Sequence, residues 1–258
     1  MISSTSNPKV KYLVQLQKKR KLREEKQIFI VEGIRMFGET PAERILEIYA
    51  SESFYKKHKE LIEEKNKYIE VVTDTVFQKI SETKTPQGIL CIVKRVAYTL
   101  EQMMAREDAH FIVLEDLQDP GNVGTILRTA EAAGVTGIIM SKDTADLYQS
   151  KTIRSTMGSI FRMPCVCVEN MLETLQMLKE NEFLSFAAHL EGKKWYNEVD
   201  YKRKVAFLIG NEGNGLSEAV SKAADVWIKI PMAGDVESLN AATAATILMY
   251  EAYRQRRS

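Results

Sequence analysis

Phe111-Ile-Val-Leu-Glu115-Asp-Leu-Gln-Asp119-Pro120-Gly121-Asn122-Val-Gly124-Thr-Ile-Leu-Arg128 is the stretch from which the fold is read. An apolar strand runs into an Asp-Pro-Gly turn, and a helix follows with Asn122 near its N-cap. At about 100° per residue, Val123, Ile126, Leu127, Ala130 and Ala133 form one apolar stripe, the face that packs on a sheet. Arg128 falls roughly 160° from the centre of that stripe and therefore points away from the sheet, to solvent or to a second subunit. The strand, glycine turn and helix also suit a dinucleotide site. That fingerprint needs G-x-G-x-x-G, and Val123 stands where its second glycine belongs.

Outward from this unit, strand-like runs recur at 111–115, 137–140, 164–168, 183–188, 205–209 and 226–230, mostly separated by helical stretches. That alternation predicts an α/β domain with a largely parallel sheet. The first hundred residues read differently. Residues 8–26 predict one helix, 27–32 a short strand, and 33 to about 46 another helix. From Ile48 to Val93 strands alternate with charged helices, and Thr85-Pro86-Gln87-Gly88 supplies the turn before the last strand. Residues 98–110 read as a linker helix. The expected division is a small α/β domain over 1–105 and a larger one over 106–258.

The 258 residues are 45% hydrophobic and 28% charged, the balance of a chain that buries a core rather than one that stays disordered. No apolar run reaches the ~20 residues of a membrane span, and the first residues lack the apolar core of a signal peptide. Three cysteines, an odd number, argue against a disulfide framework and fit a reducing cytoplasm. His58, His110 and His189 are too scattered in sequence to suggest a metal site. The net charge of +1 conceals an asymmetry, because residues 1–26 carry +6 and the remainder −5. Lys18, Lys19, Arg20 and Lys21 lie in that basic segment. Val10, Leu13 and Val14 put an apolar stripe beside the lysines, so the segment reads either as a phosphate-binding surface or as a solvated helix face.

Two further turns carry candidate chemistry. Gly210-Asn211-Glu212-Gly213-Asn214-Gly215 follows the strand-like Phe207-Leu-Ile, with glycines that admit positive φ or a close ligand. Ile230-Pro231-Met232-Ala-Gly234-Asp-Val-Glu-Ser238-Leu239-Asn240 precedes a long final helix, for which Ser238 is the expected N-cap. Ala241, Ala244, Ala245, Leu248 and Ala252 make a small-residue face on that helix, suited to close packing. Cys165 and Cys167, two apart on a strand, are read as packing residues. His189 is read as structural.

In this order and spacing, Asn122-x-Gly124-x-x-x-Arg128, Gly210-Asn-Glu212-Gly213-x-Gly215 and Pro231 through Ser238-Leu239-Asn240 resemble the SpoU (TrmH-type) family of RNA ribose 2′-O-methyltransferases. The resemblance covers about residues 109–256. A looser one, through Asn7-Pro8-Lys9, Val31-Glu32-Gly33 and Thr85-Pro-Gln-Gly88, relates the N-terminal part to the family's substrate-binding domain. It implies a SPOUT fold whose C-terminal part closes a trefoil knot, and a homodimer with the active site at the subunit interface. It implies S-adenosylmethionine as methyl donor, held near Ala188, Gly210, Ile230, Met232 and Leu239, with no metal. Arg128, Asn122, Glu212, Ser238 and Asn240 match the family's candidate catalytic positions. Lys151 through Phe161 resembles a further family segment, in which Arg154 is either an RNA contact or part of a helix packed beside the site.

The implied reaction is an in-line displacement of a methyl group from a sulfonium by a ribose hydroxyl. The protein must align the two and provide for the hydroxyl proton. Because a guanidinium loses a proton only above pH ~12, Arg128 is expected to hold a phosphate and stabilise developing alkoxide charge rather than act as a free base. Ribosomal RNA is the expected substrate. The alternatives are transfer RNA, or a catalytically silent protein of the same fold that binds RNA or the ribosome.

Overall fold

The computed structural model describes residues 1–257, and their contacts divide the chain into two compact units. The first comprises Met1–Val96 together with Asp146–Phe161, and the second Ala97–Ala145 together with Arg162–Ser258.

The first unit holds a mixed sheet of β1 (Ile28–Glu32), β2 (Ile45–Ser51), β3 (Tyr68–Val72) and β4 (Ile89–Lys94), in the order β1-β4-β2-β3. β4 runs antiparallel to β1 and β2, while β3 lies parallel to β2. Ile30, Tyr49, Leu90 and Ile92 from the sheet meet Val10, Leu13 and Leu16 of the first helix in one core. The basic segment is two helices, not one: Pro8–Lys18 and Arg20–Lys26, broken at Lys19, whose backbone is extended. The break is held by Arg23, which is buried and donates from Nη1 to the carbonyls of Leu16 and Gln17, the last turn of the first helix. Its Nη2 pairs with Asp146. The helix expected from 33 to 46 is also shorter. It spans Ile34–Glu39 and gives way, past Thr40 and Pro41, to a 3-10 turn at Ala42–Arg44 and then to β2.

Asp146–Phe161 is built into this first unit although it follows a strand of the second. Tyr148 packs 4.9 Å from Phe29, with the Arg95 guanidinium 3.9 Å above its ring. Gly158, at φ +101°, lies where a Cβ would strike Glu39 at 2.8 Å. Arg154, on the helix Ser150–Thr156 of this segment, is half-buried. Its Nη1 is enclosed without a hydrogen-bond partner among the described residues.

The second unit is a seven-stranded sheet of β5 (His110–Leu114), β6 (Gly137–Ser141), β7 (Cys165–Val168), β8 (Leu184–Ala188), β9 (Lys194–Trp195), β10 (Val205–Ile209) and β11 (Val226–Lys229). Their order is β7-β6-β5-β10-β8-β11-β9, and every pairing is parallel. The six expected strands are present, and two-residue β9 is additional. A parallel sheet covered on both faces calls for unbroken apolar runs, and Val205-Ala-Phe-Leu-Ile209 on β10 is buried throughout. On the helix Pro120–Ala132, Val123, Ile126, Leu127 and Ala130 are buried, as is Ala133 just past its end, while Arg128 is exposed. The final helix, Ala241–Arg257, packs against that helix, and Ala241, Ala245, Leu248 and Ala252 of its expected small-residue face are buried.

Two local readings change and a third holds. The helix in the expected linker, Leu100–Met104, is capped by a reciprocal Thr99–Gln102 pair, and its Met103 and Met104 enter the core of the second unit. Cys167, on edge strand β7, is exposed rather than packed. His189 stacks on Trp227 at 4.2 Å and accepts the Glu191 N–H at Nδ1, in keeping with a structural role.

Candidate active site

In a parallel sheet the carboxyl ends of the strands collect the turns that bind ligands. The first turn follows β5, the second β10, and the third β11. Each is shaped by its own side chains before any of them meet. Asp119, not Asn122, is the N-cap of the helix Pro120–Ala132, and its Oδ1 accepts the Gly121 and Asn122 N–H groups. Pro120 at the first helical position needs no partner for a missing N–H. Asn122 is therefore one turn inside the helix, with its amide free to reach across.

The second turn is closed by Asn211 and Gly215, which exchange two backbone hydrogen bonds of 2.9 Å. Asn211 Oδ1 accepts the Gly213 and Asn214 N–H groups, and its Nδ2 donates to the Asp116 carbonyl at 2.8 Å. A Cβ on Gly210 would lie 2.1 Å from Gly215 C and Leu216 N, so no other residue fits. Beneath, Glu115 at the end of β5 accepts both the N–H and the hydroxyl of Ser217, each at 2.7 Å. Ser217 in turn caps the helix Glu218–Ala223.

Glu212 ties the second turn to the first. Its Oε2 accepts the Gln118 N–H at 2.9 Å, and its Oε1 accepts the Asp119 N–H at 3.0 Å and Asn122 Nδ2 at 2.9 Å. Partial burial raises its pKa, but these bonds from Gln118, Asn122 and Asp119 outweigh it and hold the carboxyl below its ordinary value. Glu212 is therefore a carboxylate at neutral pH with its acceptor sites largely committed. That makes it an organiser of the turn rather than a base.

The third turn joins through Asn240. Its Nδ2 donates to Asn122 Oδ1 at 3.0 Å, while its Oδ1 accepts the Ala242 and Thr243 N–H groups. Asn240 is thus the cap of the final helix, a role worth about 1 kcal/mol. The expected cap, Ser238, instead lies exposed in the irregular segment before it. One hydrogen-bonded line, Asn240 to Asn122 to Glu212, crosses all three turns.

Beside this line opens a pocket of about 760 Å³. Ala188, Gly210, Ile230, Met232 and Leu239, the five residues expected to hold a donor, all line it, as do Glu212 and Ser238. Trp195 and Lys229 line it as well, with the Lys229 ammonium 4.5 Å above the Trp195 ring. Neither was expected; Trp195 lies on two-residue β9, which leaves no periodic signal, and Lys229 ends β11. Asn122, Asn240 and Arg128 are not in the lining. Arg128 sits about 9 Å further along its helix axis than Asn122. It is exposed and makes no hydrogen bond or ion pair among the described residues. Lys18, Lys19, Arg20 and Lys21 are exposed residues of the first unit, to which Arg154 also belongs. Arg20 and Lys21 are paired along the helix with Glu24 and Glu25, at 2.8 and 3.9 Å.

With this geometry, the chain can be set beside known proteins. The SpoU rRNA Methylase family model matches residues 109–250, and the MRM3-like substrate binding domain matches residues 7–91. A Staphylococcus aureus protein of the TrmH tRNA/rRNA methyltransferase family is 35% identical over 176 residues, 66% of this chain and 71% of the relative. The 23S rRNA (uridine(2479)-2′-O)-methyltransferase of Streptomyces viridochromogenes is 34% identical over 193 residues, 73% of this chain and 67% of the relative. The crystal structure of the SpoU methyltransferase AviRb from the same organism, in complex with the cofactor AdoMet, superposes with a TM-score of 0.89 at 29% identity. That superposition covers 98% of this chain and 99% of AviRb. The family-model match spans more than half of the chain and contains all three turns, and by it the chain belongs to the SpoU rRNA methylase family.

Proposed function

We propose that this protein transfers a methyl group from S-adenosylmethionine to a ribose 2′-hydroxyl of RNA, with ribosomal RNA preferred to transfer RNA. The observation that carries the reading is the hydrogen-bonded line from Asn240 through Asn122 to Glu212, which locks three turns beside one pocket. The pocket suits the donor. Its volume of about 760 Å³ lies within the range of small-molecule sites, and it combines apolar walls with the irregular backbone from Ile230 to Asn240. Gly210, Ile230, Met232 and Leu239 would hold it.

When bound, S-adenosylmethionine supplies a methyl group on sulfonium sulfur, a good leaving group. Arg128, unpaired and exposed, grips an RNA phosphate, orients the ribose and stabilises the charge that grows on its 2′-oxygen. Glu212 keeps the turn and Asn122 in place, Asn240 fixes the start of the final helix, and Ser238 faces the pocket to position the reacting groups. The outward Arg128 supports a homodimer that completes the site with a partner's surface. The basic helices of the first unit support RNA capture there. No described helix is long and apolar enough to cross a membrane, which agrees with work in the cytoplasm.

Calorimetric titration with S-adenosylmethionine, followed by incorporation of labelled methyl into ribosomal and transfer RNA, tests the reading. A catalytically silent RNA-binding protein would bind RNA and transfer nothing.

A further inference from the structure

The first unit contains an open cavity of about 360 Å³, lined by Ile34, Ser53, Phe54, Lys57, His58 and Gln87. Two glycines make it. Gly88, at φ +91°, brings the chain so close to the helix Glu52–Lys57 that a Cβ would lie 2.7 Å from Phe54 Cβ. Gly33, at φ +99°, turns the chain so that the Ile34 N–H donates to Gln87 Oε1 at 2.8 Å. That bond fixes the amide and leaves Gln87 Nε2 without a partner among the described residues. The His58 ring packs on Phe54 with centroids 4.4 Å apart and 33° between planes.

The charges around the cavity are committed unevenly. Lys56 pairs with Glu52 at 2.7 Å and Lys59 with Glu63 at 3.8 Å. Asp74 is engaged by the Ser53 hydroxyl at 2.5 Å. Lys57 has no ion pair among the described residues, although it lines the cavity.

The half-buried His58 ring backed by buried Phe54, an amide donor locked in orientation and an unpaired ammonium together fit an unstacked nucleotide. A base lies against the His58 ring, an acceptor on its edge meets Gln87 Nε2, and the adjoining phosphate meets Lys57. A duplex offers no such base, because its π-faces are already stacked. We infer that this cavity is a subsite for one unpaired nucleotide of the RNA substrate, an inference that rests on the RNA methyltransferase reading and adds a binding point separate from Lys18–Lys21.

The full chain is titrated with a short fluorescent oligouridine at low salt, alongside Lys57→Gln and Gln87→Glu. The Gln87→Glu variant keeps the acceptor for Ile34 N–H, replaces the outward donor by an acceptor oxygen and adds one negative charge beside Lys57. Each variant is expected to weaken binding by at least about fivefold, with S-adenosylmethionine affinity unchanged. Photo-crosslinks from 4-thiouridine in the same oligomer are expected on the peptide holding Phe54 and His58. Unchanged affinity in both variants, or crosslinks confined to residues 18–21, overturns the subsite. Loss in Lys57→Gln with none in Gln87→Glu also overturns it, by reducing the site to a bare charge interaction. A protein that binds the oligomer here but does not bind S-adenosylmethionine keeps the subsite and refutes the methyltransferase reading.

Discussion

Glu212 accepts the side-chain amide of Asn122 at 2.9 Å across ninety residues of sequence, and the same oxygen accepts the Asp119 N–H. Glu212→Gln turns one acceptor oxygen into a donor facing N–H groups, so the turn loses its anchor. The expected loss is about 1 kcal/mol of stability and about tenfold or more in methyl-transfer turnover, read by thermal unfolding and single-turnover assays. Because the bonds hold the Glu212 pKa below its ordinary value, the charged network is complete above the usual carboxylate range and is lost as pH falls through the depressed pKa. Near neutral pH, wild-type turnover should therefore show no titration from this group.

Arg128 gives the opposite pattern, because it makes no hydrogen bond or ion pair among the described residues. Arg128→Lys should leave the unfolding temperature within a degree or two, since no packing or ion pair is removed. Turnover should fall by about a hundredfold, because an ammonium cannot reproduce the planar fork on a phosphate. Near-normal turnover in Arg128→Lys would remove the guanidinium from the mechanism.

His110 supplies a pH test of the core of the second unit. Burial beside the Arg256 charge lowers its pKa from 6.5 to about 3, and its Nε2 has no partner among the described residues. The unfolded chain then binds a proton that the folded chain refuses. Stability should drop by about 1.4 kcal/mol per pH unit as pH falls from about 6 towards 3. His110→Phe should flatten that slope by about one proton in parallel denaturant titrations, and an unchanged slope would show that the imidazole is not held neutral.

Replacing Lys18, Lys19, Arg20 and Lys21 together by glutamine should weaken RNA binding and reduce its log–log salt slope by about 0.7–0.9 for each phosphate that is no longer neutralised. The S-adenosylmethionine affinity should not change. Because Arg20 and Lys21 already pair with Glu24 and Glu25, Lys18 and Lys19 should account for most of the effect. An unchanged slope would identify the segment as a solvated face.

How far the sequence speaks depends on whether a signal is local. The parallel strands were legible because each is a short apolar run between helices, and the stripe Val123-Ile126-Leu127-Ala130 because helical periodicity needs no partner. Resemblance placed Gly210, Ile230, Met232 and Leu239 together, and they line one pocket. The cap of the final helix is Asn240 rather than the expected Ser238, because several cap-forming residues stand close together and tertiary bonds select among them. The break at Lys19 leaves no local signal because Arg23, which holds it, is itself anchored by Asp146, 123 residues further along the chain. The docking of Asp146–Phe161 into the first unit leaves no trace in composition.

The central claim is methyl transfer to a ribose hydroxyl, and mapping 2′-O-methyl positions in RNA with and without this gene tests it most directly. The account predicts one ribose in ribosomal RNA that resists alkaline cleavage only when the gene is present, with the mark restored by the wild-type protein and not by Arg128→Ala. Identical ribose-methylation maps with and without the gene would contradict it, as would a methyl group found on a base.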